Sequence, residues 1–131
     1  MISARELGQA SMAAVESGNR QAWLALFAED AVVEDPIGPS AFDPEGRGHR
    51  GIEAIASFYD NVIAVNESIT FTISQSYLCG DEVANVGVIR IAFAGGSAVE
   101  VDGIYIYRRS TDGKIASLRA FWEPDAVRSV T

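Results

Sequence analysis

The stretch Asp30-Ala31-Val32-Val33-Glu34-Asp35-Pro36-Ile37-Gly38 decides how the rest of the chain is read. Val32 and Val33 are β-branched and suit a strand. Pro36 has no N–H to give a central ladder, so the strand stops there. A residue before proline is pushed to an extended backbone, which holds Asp35 at the strand's mouth. Apolar sequence lies on both sides of that carboxylate. A general base suits such a place, and so does an ordinary turn starter, because Asp before Pro is common in turns.

With 131 residues, 48% of them hydrophobic, the chain is not disordered. The length gives one domain, 1–131, with room for a core or a modest cavity. No apolar run reaches the roughly 18 residues that cross a membrane. Met1-Ile2-Ser3-Ala4-Arg5-Glu6 has no basic segment followed by an apolar one, so no signal peptide is read. Cys79 is the single cysteine, which excludes an intrachain disulfide and a multi-cysteine zinc site and fits a reducing cytoplasm. The net charge of −8 speaks against nucleic acid, whose phosphates need a basic surface.

Upstream of the opening stretch, Ser3 caps a helix carrying Leu7, Ala10, Ala14 and Val15 on one face. Ser17-Gly18 ends it, and Asn19 caps a second helix with Trp23, Leu24, Leu26 and Phe27 as its apolar face. Glu29 and Asp30 read as that helix's polar end. Residues 36–50, with Pro36, Gly38, Pro39, Pro44, Gly46 and Gly48, form a long loop that reads as a lid or rim. His49 in it reads as solvated. A third helix covers 51–64, with Ile52, Ile55, Ala56, Tyr59, Val62 and Ile63 on one face. Strands follow at 69–77, 83–93, 97–109 and 115–122, with turns at Ala94-Gly95-Gly96 and Ser110-Thr111-Asp112-Gly113. On the third of these, Val99, Val101, Gly103, Tyr105 and Tyr107 share one face, and Ala98, Glu100, Asp102, Ile104 and Ile106 the other. The order α-α-β-α-β-β-β-β predicts an α+β fold in which helices close one end of a curved sheet around an apolar pocket. No histidine–carboxylate set at metal-ligand spacing, phosphate loop or nucleophile elbow is present, so no metal or cofactor is expected.

The run Ala31-Val32-Val33-Glu34-Asp35-Pro36-Ile37-Gly38 resembles the base segment of the Δ5-3-ketosteroid isomerases, in the nuclear-transport-factor-2-like superfamily. Gly51-Ile52-Glu53-Ala54-Ile55-Ala56-Ser57-Phe58-Tyr59 resembles the family's third helix. Gly113-Lys114-Ile115 and Arg119-Ala120-Phe121-Trp122 resemble its last strand. The resemblance implies a cone-shaped fold: a strongly curved antiparallel or mixed sheet with three N-terminal helices. It also implies a chemistry in which an aspartate moves a proton from the carbon beside a ketone to a carbon two positions away. A tyrosine and a protonated aspartic acid stabilise the dienolate oxygen.

Carried over position by position, Asp35 matches the base. Trp122 matches a tryptophan whose indole N–H donates to that base, and Tyr59 matches a third-helix tyrosine bonded to the oxyanion tyrosine. Phe58, Val101, Gly103, Val86 and Val88 join Trp122 as pocket positions. The oxyanion donors depart from the family. Its tyrosine falls on Ser11 and its acid on Tyr105, while Asp102 reaches the pocket only if a β-bulge beside Gly103 re-aims it. By parity Glu34 faces away from Asp35, towards solvent or a second copy.

Three functions follow. The first is a steroid Δ-isomerase-like enzyme acting on a 3-ketosteroid or similar hydrophobic ketone. The second is another small-molecule enzyme of the fold: an epoxide hydrolase, dehydratase or polyketide cyclase. An inward Arg90 would favour it by completing an Asp–Arg–Asp set. The third is a non-catalytic binder of steroid-like ligands. The outer sheet face, read as Ile89, Ile91, Ile104 and Ile106, is expected to pair two copies into a homodimer.

Overall fold

A computed structural model describes residues 1–130. Helix α1 spans Ala4–Glu16 and begins in a capping box: Ser3 Oγ accepts from Glu6 N, and the Glu6 carboxylate accepts from Ser3 N. Helix α2 is short, Arg20–Ala25, with Asn19 as its cap. Phe27, read as helical from its apolar neighbours, instead opens strand β1, Phe27–Glu34. Strand β2 is the pair His49–Arg50, which zips back onto β1 with His49 opposite Val33. Helix α3 covers Ile52–Phe58 and runs into a π-helical turn at Tyr59–Ile63. Strands β3 (Ser68–Cys79), β4 (Glu82–Ala92), β5 (Ala98–Arg109) and β6 (Ile115–Phe121) follow. A final β7 at Arg128–Ser129 was not expected from sequence.

The strands lie in the order β2-β1-β6-β5-β4-β3, with β7 paired to β5. Among the described residues only the β1–β6 pairing is parallel. The sheet is mixed, curved and unclosed, and helices pack into its concave face. This is the α+β cone expected from the sequence.

Register decides what that face carries. Phe71, Ile89 and Val101 form one cross-strand row, and Ile69, Ile91 and Val99 the next. Tyr105 sits opposite Ala120, and Tyr107 opposite Leu118. Between these rows Gly87 faces Gly103. A Cβ on Gly87 would come within 2.3 Å of the Thr72 carbonyl oxygen, so only glycine lets β3 and β4 approach this closely.

Residues 36–48 are a tied loop. Ile37 N donates to the Ala120 carbonyl, Ser40 and Asp43 exchange backbone bonds, and the Asp43 carboxylate accepts from Arg47 N and Gly48 N.

Two sequence expectations are corrected here. Ile89 and Ile91 were placed on the outer face and Val86 and Val88 in the pocket; the β4–β5 register reverses both. Ile89 and Ile91 line the cavity, Val86 and Val88 face away, and Arg90 lies outside, 3.7 Å from Glu100. The run Val83–Phe93 is apolar on both parities, so periodicity could not choose a face. Asp102 also stays outside, paired with Arg128, because the β4–β5 register runs unbroken past Gly103 and no bulge re-aims it.

Candidate active site

The concave face encloses a cavity of about 250 Å3. Ile69, Phe71, Ile89, Ile91, Val99 and Val101 line it from the sheet, and Phe58, Val62 and Ile63 from α3 and its π turn. Phe42 reaches it from the 36–48 loop, and Val15, Phe93, Leu118 and Val127 complete the apolar wall. The polar groups on it are Ser11, Trp23, Asp35, Asn66, Tyr105, Tyr107 and Trp122. Among the described residues Asp35 is its one carboxylate, and no lysine, arginine or histidine lines it. A mostly apolar wall with a few placed polar groups is the usual make-up of a small-molecule site.

Asp35 follows directly on β1, whose Val33 and Glu34 pair with Leu118 and Arg119 of β6. That parallel pairing brings the end of β6 alongside, and Trp122 Nε1 donates to Asp35 Oδ1 at 2.6 Å. No hydrogen bond reaches Oδ2 among the described residues, so one carboxylate oxygen is open. Burial pushes the Asp35 carboxyl above the ordinary aspartate range, and the Trp122 N–H and the charge of His49 pull it down against that effect. His49 is half-buried with its ring 4.7 Å from that of Phe58, not solvated in a loop as the sequence suggested. Its Nε2 is buried without a hydrogen-bond partner among the described residues.

A second polar group sits against α1. Ser11 is 1% exposed, and its Oγ accepts from Trp23 Nε1 at 3.0 Å and from the Tyr107 hydroxyl at 3.3 Å. Gly8, one turn before Ser11, makes this possible. A Cβ there would stand 2.8 Å from the Tyr107 ring, so the glycine lets the ring lie flat on the helix. Burial raises the Tyr107 hydroxyl far above its ordinary value, and the Asp35 charge adds to that. Tyr105 is raised in the same way, first by burial and then by Asp35. Both phenols therefore stay protonated across the neutral range. Tyr105 donates its proton to the Val101 carbonyl at 3.1 Å, with its ring folded back over Gly103. Tyr59 is buried against Trp23, ring centroids 5.4 Å apart, and neither lines the cavity nor bonds Tyr105 or Tyr107.

Of the residues singled out from sequence, Asp35, Trp122, Phe58, Val101, Tyr105 and Ser11 meet on one cavity. Gly103 lies instead on a shallow outer groove with Asp102, Ile104 and Phe121. Tyr107, Asn66, Phe42, Ile89 and Ile91 were missed as site residues. Strand parity already put Tyr107 on the inner face, but nothing in the sequence pairs it with Ser11. Among the described residues no cluster of His, Cys, Asp or Glu could hold a metal, and no helix is long and apolar enough to cross a membrane.

The profile of the SnoaL-like domain matches residues 9–118, which includes Asp35, Ser11, Trp23 and Tyr107 and stops short of Trp122. The chain belongs to the SnoaL-like family. Within this nuclear-transport-factor-2-like fold it is ketosteroid-isomerase-like. It is 32% identical over 111 residues to the steroid Delta-isomerase of Nocardioides simplex, covering 85% of this chain and 82% of that protein. The crystal structure of a Delta 5-3-ketosteroid isomerase from Mycobacterium sp. superposes with a TM-score of 0.92 at 37% identity, over 98% of this chain and all of the other. The protein RV0760c of Mycobacterium tuberculosis, solved in complex with estradiol-17beta-hemisuccinate, gives 0.89 at 38% identity, over 95% of this chain and 97% of its own. This SnoaL-like protein therefore shares its fold with a protein solved in complex with a steroid derivative.

Proposed function

We propose that this protein isomerises a 3-ketosteroid or a similar hydrophobic ketone, with Asp35 as the general base. The observation that carries this is Asp35 itself: one carboxylate on an apolar cavity wall, oriented by Trp122 through Oδ1 and open at Oδ2. Its raised proton affinity suits a base that must take a proton from carbon and give it back. In the reaction, a carboxylate oxygen removes a proton from the carbon between the ketone and the C=C bond. The C–H electron pair becomes a new C=C bond, and negative charge collects on the ketone oxygen. The same carboxyl then returns the proton two carbons further along, and the double bond ends conjugated with the ketone. No cofactor enters the balance. The relatives' names support this substrate class, and residues 1–131 would act as one domain.

A second reading, a steroid binder without turnover, is favoured by Tyr105. It occupies the position of the family's oxyanion acid, yet its proton is committed to the Val101 carbonyl. The epoxide-hydrolase arrangement draws no support, because Arg90 faces outward. Ile104 and Phe121, 40% and 44% exposed on the outer face, fit a twofold dimer, which sedimentation would check.

The test is ultraviolet detection of the conjugated enone formed from 5-androstene-3,17-dione, with steroid binding followed in parallel by tryptophan fluorescence. Conversion well above the buffer rate is expected. Tight binding with no conversion would replace the isomerase reading by the binder.

A further inference from the structure

We infer that Ser11 and Tyr107 together form the hydrogen-bond donor for a ligand oxygen in this cavity, where an enolate oxygen would be held if the isomerase reading is right. The inference deepens that reading and rests on the same cavity.

It comes from counting donors. Of the polar side chains lining the cavity, the Trp122 N–H goes to Asp35, the Tyr105 O–H to Val101, and the Trp23 N–H to Ser11. The Asn66 amide donates to the carbonyls of Val62 and Ile63, at 2.8 and 3.1 Å. Ser11 and Tyr107 remain. They hold two hydroxyl protons and share one hydrogen bond, so one proton is left over. With Tyr107 donating to Ser11, the spare proton is on Ser11; with the pair reversed, it is on Tyr107. Among the described residues no other acceptor takes it. Ser11 does not bond back to a carbonyl of its own helix, the usual outlet for a helical serine.

A buried O–H without an acceptor is unfavourable, and a ligand oxygen would relieve it. When Trp23 and Tyr107 both donate to Ser11 Oγ, they polarise its O–H and make it a stronger donor. Burial and the Asp35 charge keep Tyr107 protonated, so the pair stays a donor at neutral pH. The site is preorganised: Gly8 seats the tyrosine ring, and the Trp23 N–H anchors the serine. A ketone, enolate or phenolate oxygen fits this donor. An ammonium group, which carries only donors, does not.

The test uses testosterone, whose conjugated ketone is its only carbonyl, bound to the intact protein. In wild type its infrared carbonyl stretch is expected to move to lower frequency than in an apolar solvent. Ser11→Ala and Tyr107→Phe should each keep part of the shift, because either hydroxyl can donate alone. The double variant should lose it. In the enone assay each single variant is expected to lose about tenfold in kcat and the double about 10²–10³-fold, with a smaller change in KM. Ser11→Ala leaves the Trp23 N–H without its acceptor, so adding Trp23→Phe to the double variant gives a background free of that defect.

A double variant that keeps both shift and rate overturns the assignment and leaves the isomerase reading standing. A shifted carbonyl with no turnover in wild type supports the donor while removing the isomerase reading. Failure of wild type to bind testosterone removes both.

Discussion

Glu34 and Asp35 are neighbours in the chain and occupy opposite environments. Glu34 points to the outer face, where its carboxylate accepts from Arg119 Nε at 3.2 Å among partly exposed side chains. Asp35 points to the inner face, where its only hydrogen bond among the described residues is from an indole N–H and the walls are mostly apolar. Other outer acids are paired in the same manner: Glu100 with Arg90 and Arg128, and Asp102 with Arg128. Outside, water screens the charge and a guanidinium neutralises it, so removing such a carboxylate changes little. Inside, desolvation raises the proton affinity of Asp35, and the Trp122 N–H and the charge of His49 offset it only in part. One step of strand alternation therefore separates a surface ion pair from a candidate base.

The largest difference should appear on removing each carboxylate in turn. Asp35→Asn is expected to lower kcat/KM by about 10²–10⁴-fold, the usual weight of a positioned general base. Glu34→Gln, assayed beside it, should stay close to wild type. Equal losses would erase the distinction between the faces.

Trp122→Phe sharpens the comparison next. It removes the N–H that holds Asp35 ionised, a hydrogen bond to a charged group worth about 1.5–3 kcal/mol. Wild-type kcat/KM should rise with pH through an acid limb above the ordinary aspartate value, because burial raises that carboxyl. In Trp122→Phe the limb should move to higher pH still. A limb unmoved, or moved down, would mean that the indole does not tune the base.

Stability gives a smaller effect of predictable sign. The folded-state proton affinity of Asp35 lies above its unfolded value, so its contribution to stability is fully present at low pH and is lost as pH rises through its titration. Asp35→Asn should therefore raise the unfolding midpoint near neutral pH, and the gain should fade in acid. A constant difference across pH would contradict the burial of that charge.

The smallest effect belongs to the outer face. Arg119→Leu breaks the pair with Glu34, and guanidine unfolding should register a loss of no more than about 1 kcal/mol.

Much of the fold was legible because its signals were local. Ser3 and Asn19 are the caps of α1 and α2, and alternation on β5 separated inner from outer residues. Pro36 and the apolar run before it placed Asp35 at a strand end, and the resemblance paired Asp35 with Trp122. What was missed depends on contacts between distant elements. Val83–Phe93 carries apolar residues on both parities, and only its register with β5 turns Ile89 and Ile91 inward. The outward Arg90 was the one local hint, since Val86 and Val88 share its parity. Phe27 had helical neighbours but was captured by pairing with Ile115. Ser11 and Tyr107 lie far apart in sequence, and their meeting needs Gly8, whose missing side chain leaves no pattern to read.

The most direct test follows the proton itself. 5-Androstene-3,17-dione carrying deuterium at carbon 4 is converted in ordinary water, and the product is read by mass spectrometry and NMR. If Asp35 takes the label and returns it before exchange, the conjugated product carries deuterium at carbon 6, and Asp35→Asn yields almost no product on the same timescale. Enone formed at an unchanged rate by Asp35→Asn would contradict the assignment of Asp35 as the base.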